Sequence, residues 1–321
     1  MALSTIDTAI SMDKFARALH HTKGYILHQI AVRSSSLEIG RKRRAQSEEA
    51  YKLTINMNDR DSYGYQGLAE LYIDWAAITP DISEQTLYLS KAEEILVKAL
   101  TKVSDKETIW IELSKIDKYL SDTPGQIKKL REAIVLVPES TMARYLLGKA
   151  LSSHCEFEEA IMLFKSTFQI HPQDYRNSME YAKAIVLRDN GSESSIKEAI
   201  AILQQSTLNG YSDPYFISTL GGLLYLDKQF TESDAVFQET QKRELQYMFK
   251  PLFTPTSWGI NGVFTGSVKY VGGGYSKILL DGYSEVNCTS SKVNDIVLQR
   301  NLTVTVDLKF NMKGPIAFIN S

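Results

Sequence analysis

The chain has 321 residues, enough for about two domains, and its 43% hydrophobic and 23% charged content is ordinary for a soluble globular protein. A net charge of −2 supplies no global field toward nucleic acid or an anionic membrane, and no apolar run approaches the roughly 20 residues of a membrane-spanning helix. Met1-Ala2-Leu3-Ser4-Thr5-Ile6-Asp7 lacks the basic start and apolar core of a secretion signal, and Cys155 and Cys288 fall in different expected domains, so the expected compartment is the reducing cytoplasm.

Residues 1–19 read as a short helical lead-in, with Ile6, Ile10, Phe15 and Leu19 at helical spacing. A helix over about 21–32 and a second over about 36–55 form a degenerate first pair. Tyr65, Leu68, Ala69 and Tyr72 then fit a first helix, and Ala92, Leu96 and Ala99 its partner, with an insertion at 79–84 lengthening the turn between them. Trp110, Leu113 and Ser114 lead to Leu130, Ala133 and Pro138 in the next unit. The clearest unit is Leu147-Gly148-Lys149-Ala150-Leu151, then Phe157, Ala160-Ile161-Met162-Leu163-Phe164 and Pro172. After it, Tyr181, Ala182 and Ile185 pair with Ala199 and Leu203 across a turn at Asp189-Asn190-Gly191-Ser192. Leu220-Gly221 with Leu224, then Phe230, Ser233 and Phe237, close the series.

Composition shifts near Tyr247. Pro251, Pro255, Gly259 and Gly262 mark 248–262 as a linker, and beyond it come short β-rich runs at 263–271, 275–280, 285–288, 296–297 and 302–310. Gly272-Gly273-Gly274 and Asp281-Gly282 punctuate them as turns. Five short strands in about 60 residues suit a small barrel.

Leu-Gly-x-x-apolar, Ala-x-x-x-Phe and a closing proline at a period of about 34 residues resemble the tetratricopeptide-repeat family. The glycine and alanine let two helices approach, the phenylalanines fill the space between, and Pro172 cannot continue a helix. The resemblance implies a mainly α solenoid of five to six helix pairs over residues 1–247, whose first helices line a groove that binds other proteins. Residues 263–321 resemble the cold-shock family, a five-stranded OB-type barrel. Thr265-Gly266-x-Val268-Lys269-Tyr270 looks like that family's opening strand and Lys313-Gly314-Pro315-x-Ala317 like its closing turn and strand. The resemblance implies single-stranded nucleic acid stacked on aromatic side chains, here Tyr270 and Tyr275 with Lys269 and Lys277. Ser276-Lys277 and Asn287-Cys288 stand where the family has further aromatics and a histidine, so binding there is expected to be weak.

Lys115, Lys149 and Lys183 recur one repeat apart, each following the Gly148-like position. With Lys118, Tyr145 and Arg176 they outline a candidate groove for an acidic segment or a phosphate backbone. A solvated lysine face accounts for the same spacing. Arg41-Lys42-Arg43-Arg44 reads as a solvated face balanced by Glu48 and Glu49. His20, His21 and His28 lack partners at ligand spacing, so no metal is expected. No paired carboxylates, nucleophile elbow or phosphate loop is present, and neither an enzyme nor a cofactor is expected. The expected function is a non-catalytic scaffold or sensor that captures a protein partner, with a bacterial multi-component or defence system as one setting. The alternative is a regulator that holds RNA or single-stranded DNA through barrel and groove.

Overall fold

The computed structural model describes residues 2–210, 212–240, 251–272, 275–288, 292–293 and 296–319, with backbone alone for 239–240, 292–293 and 296–297. Helices α1 (Ala2–Met12), α2 (Arg17–Arg33), α3 (Leu37–Met57), α4 (Ser62–Ile78), α5 (Ile82–Leu100), α6 (Lys106–Tyr119), α7 (Thr123–Leu136) and α8 (Thr141–Ser153) come first. Then follow α9 (Phe157–Ile170), α10 (Tyr175–Arg188), α11 (Glu193–Gln204), the single turn α12 (Thr207–Gly210), α13 (Pro214–Leu226) and α14 (Phe230–Thr240). None of these helices is long and apolar enough to cross a membrane. The chain divides into two compact units, residues 1–150 and 151–321.

Helix starts are written in the sequence. Asp61, Asp81, Asp105, Asp122, Asp174 and Asp213 each accept a backbone N–H from the first turn of the following helix, as Ser36 and Ser192 do for α3 and α11. Each such cap satisfies a donor that the helix leaves orphaned, worth about 1 kcal/mol. Helix ends use a different device. Asp122, Glu156, Gly191 and Gln229 donate their N–H to the carbonyl five residues back, in Asp117, Leu151, Val186 and Leu224. The residue before each, Ser121, Cys155, Asn190 and Lys228, is left-handed at φ 59, 63, 49 and 61°. This is the Schellman ending, found after α6, α8, α10 and α13 and here without the usual glycine, whereas α2 and α4 end on extended Ser34 and Thr79. The insertion expected at 79–84 is instead a short connection, Thr79-Pro80-Asp81, because Asp81 caps α5 at once and residues 82–84 enter its first turn.

In residues 1–150, α2 pairs with α3, α4 with α5 and α6 with α7. The first helices α2, α4 and α6 also pack side by side in one layer. Tyr51, Tyr65, Leu68, Leu71, Trp75, Leu96, Ile109 and Leu113 form the core beneath them. The basic run at 41–44 is partly structural. Arg44 pairs with Glu48 at 2.7 Å and lies over the Tyr88 ring at 4.9 Å, while Arg41 reaches Glu84.

In residues 151–321, strands β1 (Val263–Gly272), β2 (Tyr275–Leu280), β3 (Glu285–Cys288), β6 (Thr303–Asn311) and β7 (Gly314–Ile319) close a barrel in the order β1-β2-β3-β7-β6. All neighbours are antiparallel except β3 and β7, which run parallel through Asn287↔Ile316 and Cys288↔Ala317. Alternation on β2 sends Ser276, Ile278 and Leu280 inward. The run at 296–297, expected as a barrel strand, is β5 (Ile296–Val297). It pairs only with β4 (Lys292–Val293) in a separate two-stranded sheet, and Gly314–Ile319 takes the fifth place in the barrel.

The barrel sits on the last helix pair. Eleven of the thirteen residues of α13 are buried, and its two adjacent glycines face different neighbours. A Cβ on Gly221 would lie 2.5 Å from the Phe237 ring of α14, and one on Gly222 would lie 2.5 Å from Phe253, with Phe310 of β6 at 3.0 Å. Tyr225 stacks on Tyr283 at 5.6 Å and meets Phe310 edge-on. Of the segment read as a linker, 248–250 and the expected boundary at 247 lie outside the described residues. Residues 251–262 pack closely. Phe253 exchanges backbone hydrogen bonds with Phe310, and Trp258 is buried in a 3-10 turn, Pro255–Trp258, that ends on left-handed Gly259.

Candidate functional site

Two places gather the residues singled out from the sequence. The first lies on the layer of α2, α4 and α6. Lys115 is not a free cation: its Nζ donates to Glu70 Oε1 at 2.7 Å and to Glu112 Oε1 at 2.8 Å. Gln66 Nε2 donates to the same Glu112 oxygen at 3.1 Å. Glu112 is only 1% exposed, and its Oε2 has no partner among the described residues. Burial pushes its pKa up to about 7 against the opposing pull of Lys115. Burial alone would lower the Lys115 pKa, but Glu112 and Glu70 together raise it. Nearby, His28 Nε2 contacts Asp74 Oδ2 at 3.0 Å. His21 meets the Tyr51 ring edge-on at 5.6 Å and the Tyr63 ring at 6.0 Å.

The remaining cations of the expected ladder differ from one another. Lys149 stands over the ring of Tyr145 at 5.3 Å, four residues earlier on α8. Lys118 is exposed at the end of α6. These two and Lys115 belong to residues 1–150. In the second unit, Arg176 lies 5.8 Å from the Tyr175 ring, and Lys183 is half-buried on α10 with no ion pair among the described residues.

The second place is the outer face of the barrel. Strict alternation along β1 would put Tyr270 inside with Val268. The pairing of β1 with β2 instead shifts by one between Val268↔Ile278 and Tyr270↔Lys277. This bulge at Lys269 reverses the parity of the strand, so Tyr270 shares the outer face with Lys277. There Tyr270 and Tyr275, 45% and 41% exposed, lie ring to ring at 5.3 Å. Lys269 is half-buried in the bulge and Lys277 is exposed; neither makes an ion pair among the described residues. Beside them a groove of about 450 Å³ is lined by Tyr275, Lys277, Asn287, Lys313, Pro315 and Ile316. In the sequence Asn287 and Lys313 stand out only for their place in the strand pattern. Their role in this groove follows from the parallel β3–β7 pair, which local spacing does not reveal. The described residues contain no group of three or more His, Cys, Asp or Glu that could hold a metal ion.

No family model and no curated protein matches the chain. Among solved structures it is similar to TTC0263, a thermophilic TPR protein of Thermus thermophilus, at 19% identity over 58% of this chain and 90% of that one, with a TM-score of 0.46. It is similar also to YrrB, described as a TPR protein with an unusual peptide-binding site, at 15% identity over 60% and 91% with a TM-score of 0.40. A crystal structure of MamA matches at 20% identity over 53% and 90% with a TM-score of 0.39. At these values the likenesses carry no statement about what the chain binds.

Proposed function

We propose that this chain is a non-catalytic scaffold that captures a protein or peptide partner on its helical repeats. The observation that carries the reading is the layer of first helices α2, α4 and α6, which presents exposed aromatic and charged side chains on a well-packed core. Rigid elements presenting such residues suit recognition, because little order must be created on binding. The acidic partner expected from Lys115, Lys149 and Lys183 loses support at Lys115, whose charge Glu70 and Glu112 already answer. A bacterial multi-component or defence setting has its support in the repeat resemblance, and a cytoplasmic compartment in the cysteine usage of the sequence. Capture from native lysate, with and without nuclease, tests the scaffold reading. A protein retained after nuclease treatment supports it, and loss of all bound material after nuclease overturns it.

A second reading has its own observation, the Tyr270–Tyr275 pair beside Lys277 on the barrel's outer face. The strand order, with β1 between β2 and β6 and β3 parallel to β7, supports an OB-type barrel. Exposed paired rings next to a lysine suit stacked bases of single-stranded nucleic acid. Tyr270→Ala and Tyr275→Ala would each weaken a labelled oligonucleotide by about 1–3 kcal/mol, measured by fluorescence anisotropy. An unchanged affinity in both variants removes this reading.

A further inference from the structure

The middle helix of the α2, α4 and α6 layer has a charge opposite to the one the neighbouring lysines suggest. Helix α4 carries Glu70 and Asp74 and not one lysine or arginine. On the flanking helices, Arg17 of α2 is paired with Asp61, and Lys23 with Asp7. Arg33 at the end of α2 and Lys106 and Lys118 at the two ends of α6 are exposed and make no ion pair among the described residues. Among the described residues Glu70 shares a single cation, Lys115, with Glu112, and Asp74 has only His28.

Three carboxylates meet too few donors here. Glu112 is nine-tenths buried with its head at the Lys115–Glu70 cluster, and one of its oxygens has no hydrogen-bond partner among the described residues. A buried acceptor left unpaired is costly unless something else supplies the donor. The charges of Glu70 and Asp74 also reach the Tyr51 hydroxyl, where after burial they hold the phenol further above its ordinary pKa. Around this field stand aromatic rings in the open. Tyr63 is 60% and Tyr25 53% exposed, and His21 bridges from Tyr63 to Tyr51. Carboxylates flanked by exposed tyrosine faces are the complement of a guanidinium or ammonium group, which gains both ion pairing and cation–π contact.

We infer that the face formed by Tyr25, Tyr63, Glu70 and Asp74, with Glu112 buried beneath it, takes a cationic segment of the partner protein, with an arginine side chain seated against Glu70 and Asp74 between the tyrosines. The inference rests on the scaffold reading and names the chemistry of what the scaffold captures. An arginine fits better than a lysine, because its planar fork can donate to two carboxylates at once and stack on a ring.

The test uses the full chain and two fluorescein-labelled capped peptides, hexa-arginine and hexa-glutamate, by anisotropy at low ionic strength. Hexa-arginine should bind and hexa-glutamate should not at the same concentration. Glu70→Gln with Asp74→Asn should weaken hexa-arginine on the order of ten-fold, and Tyr63→Ala about three-fold. Glu93→Gln with Glu94→Gln, two exposed positions on α5, removes the same charge elsewhere and should leave binding within about two-fold. Circular dichroism melts establish that each variant is folded. Equal loss in the two double variants, no loss in the first, or comparable binding of hexa-glutamate overturns the inference. Lysate capture by the same wild-type protein separates the two readings. A retained partner with no hexa-arginine binding sinks the cationic face and leaves the scaffold. Face-dependent hexa-arginine binding with no retained protein sinks the scaffold and leaves the face.

Discussion

Glu112 makes the stability of the helical part depend on pH in a direction unusual for a carboxylate. In the unfolded chain its pKa is 4.5, and in the fold burial raises it to about 7. Between those values the folded state holds a proton that the unfolded state has released, so stability falls as pH rises. Its contribution is complete below about 4.5 and lost above about 7. At 1.36 kcal/mol per pH unit, the step from 4.5 to about 7 amounts to about 3 kcal/mol, on the order of a third of the stability of a typical domain. Glu112→Gln keeps the shape and can still accept from Lys115, but it has no proton to lose. Urea unfolding of both proteins, followed by circular dichroism from pH 4.5 to 8.5, isolates this one group, because every other titration is common to the two. The variant should gain about 2–3 kcal/mol over the wild type across that interval, with most of the gain by pH 7. A difference that stays constant with pH would show that Glu112 remains ionised in the fold, and the burial argument would be wrong.

Three further outcomes follow from packing and backbone geometry. Gly221→Ala drives a methyl into the Phe237 ring, 2.5 Å away, and should lower stability by about 1–3 kcal/mol; a midpoint equal to wild type would mean that α14 shifts without cost. Cys155→Gly removes the side chain from a left-handed position at φ 63° and should raise stability by about 0.5–1 kcal/mol. A lowered urea midpoint would refute that. Tyr283→Ala removes the ring stacked on Tyr225 and edge-on to Phe264, and should cost about 2 kcal/mol, loosening the barrel from α13. Limited proteolysis should then release the barrel sooner, and an unchanged digestion rate would assign the docking to Phe253 and Phe310 alone.

The helical part was legible because its information is local and repeated. Leucine, glycine and alanine recur at a fixed period, and an aspartate announces six of the helix starts. What stayed hidden was set by contacts distant in sequence or by backbone without a marker. Ser121, Cys155 and Lys228 take a turn usually flagged by glycine, and nothing about serine, cysteine or lysine announces it. Lys115 looked like a ligand-binding cation because Glu70, which lies 45 residues earlier, comes beside it only when α4 and α6 pack together. On the barrel, Tyr270 was picked out by resemblance, but pattern alone would have buried it. The bulge at Lys269 is what turns it outward, and a bulge depends on both strands. The short run at 296–297 misled for the opposite reason, since its composition suits a strand but not which strand it pairs with.

The docking of the barrel on α13 has a consequence for how the last helix pair ends. An array of stacked helix pairs needs a polar last face, because an uncovered end exposes the same apolar stripe that each unit offers to the next. Helix α13 has no such face: it is buried from Phe216 to Leu226, with Gly222 and Tyr225 turned toward the barrel. The barrel therefore serves as the terminator of the array. A chain stopped after α14 would leave the Gly222 and Tyr225 side of α13 open as a sticky end. That duty falls on Phe253, Tyr283 and Phe310 and asks nothing of Tyr270, Tyr275 or Lys277, so the barrel's outward face is free to change its chemistry while the stack stays closed.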